Sequence, residues 1–375
     1  MDLDLTSDQE LLRETAARFI QSACPLTTVR ELTAEHGAAS ADYRRQAAEL
    51  GWFAMLVPEE FGGGSVSGDG VVDAAVVAEE RGRGLQPGAF VPVNAVARGL
   101  VLDGTADQQA KVLPALAAGD ATATWALADA QGEWWPGGGV VAEQRGAAYE
   151  LTGAKTFVQD AGSSDWILVT AGGGGTGLSQ FLVPTGTPGV RVRRLDGLDL
   201  TRSFSEVVFE RAELPASALV GTFGGASRAV EEQLQVAVAL TVAECTGALA
   251  YDFEVALDYA KARTAFGRPI GSFQAVKHLL ADTSLLVETC KALSASAARA
   301  VGAGGDDAAE VVSMAKAFLG DSAIEIAQNC FQVFGGIGHT WEHDQHLYLR
   351  RVTTDAALYG EPSWHRERIC QLHAL

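Results

Sequence analysis

The sequence is poor in paired cysteine, in unbroken apolar runs and in positive charge. Its five cysteines, Cys24, Cys245, Cys290, Cys330 and Cys370, are odd in number and widely spaced, with no C-x-x-C. That argues against a disulfide framework and a cysteine zinc site. It suits a reducing, cytoplasmic compartment in which the thiols act as small buried apolar groups. The most apolar stretch, Val236 to Ala250, is broken by Glu244 and reads as too short and too polar to span a bilayer. The N-terminal MDLDLTSDQE is acidic and has no apolar h-region, so no signal peptide is expected. Lys and Arg number 28 against 47 Asp and Glu, a net charge of −19. Such a surface repels phosphate backbones and excludes general nucleic-acid binding, but it permits an anion in a local basic pocket. No glycine cluster sits between a strand and a helix as G-x-G-x-x-G, which disfavours a nicotinamide dehydrogenase.

What is present is an ordinary globular composition, 47% apolar and 20% charged, over 375 residues. That length allows about two or three domains. The first third reads as helices. Ser7 and Glu10 form a capping-box pattern, and Leu12, Ala16, Phe19 and Ile20 line one apolar face. Further helices are expected near 41–50, 71–81, 90–102 and 106–118. The middle third changes period. TATWALA, AAYELTGAK, DWILVTA, SQFLVP, VRVRRL and FSEVVFE are short β-rich runs. Turn clusters at Gly137–Gly139, Gly172–Gly175 and Thr187-Pro188-Gly189 separate several of them, which points to an antiparallel barrel or sandwich. The last third returns to long apolar-periodic helices at 226–260, 275–301 and 307–334, the pattern of a buried bundle. The division expected is residues 1–120 helical, 121–225 β and 226–375 helical.

Four segments carry the chemistry. RTAFGRPIGSFQAVKHLLAD (Arg263 to Asp282), QVFGGIGHTWEH (Gln332 to His343), GWFAMLVPEEFGG and LPASALVG (Leu214 to Gly221) resemble motifs of the acyl-CoA dehydrogenase family, stand in that family's order along the chain and together span it. Arg263 is a permanent planar cation suited to a pyrophosphate. Phe266, three residues on, is expected on the same helical side, where it can back an aromatic ring. Gln332 offers an amide, and Gly335 and Gly336 offer close-approach backbone. The resemblance assigns Arg263, Phe266, Gln274, Gln332, Gly335 and Gly336 to the ADP half of an FAD shared with a neighbouring subunit. It implies α,β-dehydrogenation of an acyl-CoA thioester and a homo- or hetero-tetramer. It also implies an acceptor of the electron-transfer-flavoprotein type, with no metal and no membrane.

The chain departs from that family near the flavin ring and at the base. Ala128 stands where the family has a hydrogen-bonding Thr. Phe157 keeps the ring-stacking aromatic, and Gln159 replaces a small hydroxyl near the flavin. The usual base, a Glu near the C-terminus, falls on Gly360 when aligned from Arg351 and on Glu361 when aligned from Arg368. A minority base position on the preceding long helix falls on Ala237, and a nearby Arg position falls on Val238. Glu244 lies two turns beyond Ala237, about 10 Å along the same face. Glu244 and Glu361 are therefore the candidate bases, with a structural buried pair as the other reading of Glu244. The spacing of His343 and His346 is ordinary for a surface and is not read as a metal site. The segment from His339 to Arg351 resembles an actinobacterial subgroup that includes α2β2 enzymes acting on steroid side-chain thioesters. In those pairs one kind of subunit holds the complete site, so a non-catalytic partner subunit is the alternative to a self-sufficient enzyme.

Overall fold

The structure, a computed structural model, describes residues 4–35, 39–134, 138–173 and 177–374. Gly137, Gly174 and Gly175 of the expected turn clusters lie outside the described residues. The N-terminal third holds α1 (Ser7–Ala23), α2 (Leu26–Leu32), α3 (Ala41–Glu49), α4 (Gly70–Arg83), α5 (Phe90–Asp103) and α6 (Ala106–Ala117). The capping box of α1 sits one residue earlier than the sequence pattern indicated. Thr6 accepts from Gln9 N, and the Gln9 side chain answers to Thr6 N. Gln9 is buried on Asp73 of α4, and that long-range contact decides the register.

The middle third forms one eight-stranded sheet. Its strands are β1 (Ala123–Ala126), β2 (Val140–Arg145), β3 (Ala148–Gln159), β4 (Trp166–Gly172), β5 (Leu178–Pro184), β6 (Val190–Leu195), β7 (Phe204–Pro215) and β8 (Leu219–Val220). The order is β6-β7-β3-β2-β4-β5-β8, with β1 beside β4. The sheet is mixed, where an antiparallel one was expected. β1 and β2 both run parallel to β4, because the β2–β3 hairpin lies between β1 and β4 and returns the chain in the same direction. Only the first half of β2 alternates buried and exposed, and Glu143, Gln144 and Arg145 are all exposed. For that reason β2 is not among the β-rich runs of the sequence.

The last third is a bundle of α7 (Ser227–Ala262), α8 (Gln274–Ala303), α9 (Ala308–Phe334), α10 (Gln345–Ala357) and α11 (Pro362–Leu372). A short hairpin, β9 (Thr264–Ala265) and β10 (Arg268–Pro269), joins α7 to α8. α7 is long and apolar enough to cross a membrane, but 89% of its most apolar window is buried within the protein. It is covered from several sides. Gly82 of α4 and Gly247 of α7 bring the two backbones together, for a Cβ at Gly82 would stand 1.8 Å from the Glu244 carbonyl oxygen. One large core joins the two helical regions, and a second fills the sheet around Phe181, Val207 and Phe209.

Candidate active site

Glu244 lies at the centre of a buried charge cluster that ties the three regions together. Arg81 of α4 donates from Nε to Glu244 Oε1 at 3.1 Å, and Arg202, just before β7, donates from Nη2 to Oε2 at 2.5 Å. Arg202 also bonds Asp355 of α10, while Arg351 Nε donates to Asp199 Oδ2 at 2.8 Å. Three guanidinium groups thus meet Glu244, Asp355 and Asp199, all nearly inaccessible to water. Burial pushes the Asp355 carboxyl up. Burial would raise Asp199 too, but Arg351 and Arg202 outweigh it and hold that carboxyl below its ordinary range. With each oxygen of Glu244 engaged by a cation, the structural reading of this residue accounts for its geometry. A carboxylate so held is poorly placed to accept a substrate proton.

Glu361 has a different environment. It is the N-cap residue of α11 and is exposed, with Pro362 following as the first helical residue. It lines a cleft of about 940 Å³ between the sheet and the C-terminal bundle. Phe157 enters the same cleft. A register shift between Lys155 and Val158 leaves Phe157 at φ 52°, and this bulge turns its ring outward, 45% exposed. Trp134 and Trp364 add aromatic wall. Glu133, Asp196, Glu361 and Glu367 line the cleft, and no Lys, Arg or His stands among its described lining residues.

Gln159 departs from its expected place. It is buried, and its amide donates to the Gly88 carbonyl at 3.1 Å, so it bonds the N-terminal region. The cause is again the bulge, which resets the alternation between Phe157 and Gln159. Gly360 has φ 115°, and a Cβ there would stand 2.7 Å from Trp364 Cε3 and 2.9 Å from His365 Nε2. Ala237 and Val238 are fully buried in α7. Of the positions that match a family base, Gly360 and Ala237 carry no carboxylate, and Glu361, the match when aligned from Arg368, does.

A second group of residues gathers at one end of the bundle. The helix ends at Ala262, so Arg263 is extended and Phe266 is not on its helical face. Phe266 and Gly267, both at positive φ, form the tip of the β9–β10 hairpin, and the Phe266 ring is 95% exposed. Gly267, two residues before Pro269, makes a tight turn cheaper than a continued helix. Gln274 opens α8 as expected. The Tyr259 and Phe334 rings meet at 5.1 Å and hold the ends of α7 and α9 together. Arg263 and the exposed Gln332, Gly335 and Gly336 therefore leave the bundle at the same end. Gly335 has φ 62° and ψ −140°, a conformation suited to glycine, and a Cβ at Gly335 or Gly336 would meet nothing within 4 Å. This open surface, with a fixed cation, two amides and bare glycine backbone, fits the adenosine-pyrophosphate half of a dinucleotide.

Three family models match in order. They are described as Acyl-CoA dehydrogenase N-terminal domain over residues 6–120, middle domain over 138–212 and C-terminal domain over 224–371. The probable acyl-CoA dehydrogenase FadE25 of Mycobacterium tuberculosis is 30% identical over 316 residues, covering 80% of this chain and 79% of that one. The chain belongs to the acyl-CoA dehydrogenase family. Members of this family are flavin oxidoreductases with FAD as cofactor. The chain is also similar to acyl-CoA dehydrogenase FadE34 of Mycobacterium tuberculosis, at 32% over 92% of its length, but spans only 44% of that relative. Among solved structures, the ChsE4–ChsE5 complex from Mycobacterium tuberculosis superposes with a TM-score of 0.91 at 27% identity, covering 100% of this chain and 99% of that one. A structure of PigA with FAD and proline superposes at 0.89 with 25% identity, covering 100% of both chains.

Several residues that shape the cleft were not singled out in the sequence. Trp134 lies in a Trp-Trp pair that reads as loop. Lys155, in the run AAYELTGAK, is fully buried and donates to the carbonyls of Leu127 (2.8 Å) and Gly138 (2.9 Å), which fixes the loop bearing Trp134. Burial lowers that ammonium to about 8, opposed by Asp129. Arg202, the partner of Glu244, stands just before the apolar strand FSEVVFE, where its charge alone gave no signal of a buried pair.

Proposed function

We propose that this chain is a subunit of an FAD-dependent acyl-CoA dehydrogenase in which a second, unlike chain of the family supplies the catalytic base. The reaction is α,β-dehydrogenation of an acyl-CoA thioester in a tetramer, with an electron-transfer-flavoprotein-type acceptor. FAD, when bound, supplies the acceptor for the β-hydride. The chain's own part is to hold. Arg263 pairs with the pyrophosphate, Phe266 backs an aromatic ring, and Gln274, Gln332 and the Gly335–Gly336 backbone offer hydrogen bonds.

The observation that carries the reading is Gly360. It stands at a base position, yet Trp364 and His365 leave no room for a side chain. Glu244 adds support, because two arginines engage it. The ChsE4–ChsE5 complex, named as a complex of two chains, is similar over the whole length of this one. The test is to purify the chain alone and with a co-expressed family partner, then count FAD and assay acyl-CoA oxidation. The reading requires about one FAD per two chains and activity only in the mixture. One FAD per chain with turnover of roughly 1–10³ per second from the chain alone overturns it.

A second reading keeps the base in this chain as Glu361, because Glu361 and Phe157 line the same cleft. Under it, Glu361→Gln abolishes turnover by the chain alone. Under the first reading that variant changes nothing in the mixture.

A further inference from the structure

The resemblance places the flavin ring against Phe157 and the base at the Tyr359–Gly360 turn. A flavin and its thioester would therefore lie in the slot between these two points. In this chain the indole of Trp134 stands between them, at one wall of the cleft. The Trp134 ring stacks on Phe157 with centroids 6.3 Å apart and planes at 21°, and it meets Tyr359 at 5.1 Å and 50°. Tyr359 in turn rests on Trp125 at 6.3 Å. Although Trp134 borders the cleft, it is only 8% exposed, because the neighbouring rings cover it.

The indole is also held from its own loop. Asp129 Oδ1 accepts from the backbone N–H of Gln131 and of Glu133, both at 2.9 Å. Lys155 fastens the base of the loop at Leu127 and Gly138. A ring this well supported does not leave at small cost, since its removal uncovers Phe157 and Tyr359 together.

We infer that Trp134 is an internal occupant of the flavin slot and keeps this chain's own cleft free of flavin. The inference rests on the partner-subunit reading and gives it a cause. FAD gripped at the Arg263 end has its ring in the other chain's cleft, and Trp134 keeps a second flavin ring from stacking on Phe157 here. The carboxylates of Glu133, Asp196, Glu361 and Glu367 around the slot act in the same sense, since they repel a pyrophosphate.

Riboflavin tests this directly, because it has the ring system and no phosphate. The full chain alone is titrated into riboflavin and fluorescence quenching is read. Trp134→Ala should bind at least tenfold more tightly than the parent. Trp134→Phe, which refills the slot, should bind like the parent, and Trp134→Ala combined with Phe157→Ala should lose the gain. Trp134→Leu offers the same comparison in smaller measure if the alanine variant fails to fold. Equal binding by parent and opened variants overturns the inference, and so does a gain that survives loss of Phe157. The FAD count of the co-purified complex separates the two readings. One FAD per two chains with no riboflavin gain sinks the Trp134 inference alone, whereas one FAD per parent chain sinks the partner reading as well.

Discussion

Arg81 and Glu244 meet in the interior at 3.1 Å, across the junction of α4 and α7, and both side chains are almost wholly buried. Replacing the carboxylate leaves Arg81 and Arg202 facing each other without an anion between them. Glu244→Ala should therefore lower stability by about 3–5 kcal/mol, the usual cost of breaking a buried pair. Denaturant unfolding measures it. A variant that keeps parental stability and loses only turnover would favour a catalytic Glu244 instead.

Gly360→Glu tests whether a base can be supplied at the position that alignment from Arg351 matches to the family's. The new Cβ meets Trp364 and His365, and φ 115° is a strained backbone for any L side chain. The cost should be on the order of 1–3 kcal/mol. Turnover by the chain alone should not appear. An active, stable Gly360→Glu chain would show that the turn relaxes.

Asp252 sets a pH dependence of stability. Its carboxyl is buried and accepts from Gln345 Nε2 at 2.8 Å. Burial pushes it up to about 8, opposed by the Gln345 and Cys330 hydrogen bonds. In the unfolded chain the same group titrates near roughly 4. Between these values the folded state keeps a proton that the unfolded state has released, so stability from this group falls as pH rises from about 4 towards 8. Asp252→Asn should flatten that slope. Melting temperatures of parent and variant at pH 5 and pH 8 provide the check.

Arg263→Ala should weaken FAD retention by the assembled protein about tenfold, through loss of charge-assisted hydrogen bonds. Arg263 is exposed at the end of α7, so the melting temperature of the FAD-free chain should be unchanged. Equilibrium dialysis against FAD reads the first effect and calorimetry the second.

The longer helices were legible because their apolar periodicity is local, whereas α2, α10 and α11 were not expected. The long helix around Glu244 and the start of α8 at Gln274 both follow the sequence pattern. Residues whose meaning depends on distant partners were not legible. Glu244 was visible as a polar interruption, but its arginines lie 163 and 42 residues away. Phe266 was misplaced because a two-residue turn overrides the helical count, and Gln159 because one bulged residue reverses which side chains face the cleft. The exposed residues expected to grip a dinucleotide are chemically legible through their types. Their convergence depends on the Tyr259–Phe334 contact, which no local pattern encodes.

The cluster of Arg81, Arg202, Glu244 and Asp355 also bears on how the chain can be divided. Each of the three regions contributes to it, so cutting the gene between them would strand buried charges in every piece. The N-terminal fragment would carry Arg81 without Glu244, the middle fragment Arg202 without Glu244 and Asp355, and the C-terminal fragment Glu244 and Asp355 without Arg81 and Arg202. The three regions are thus not autonomous, and heating should melt the whole chain in a single cooperative transition.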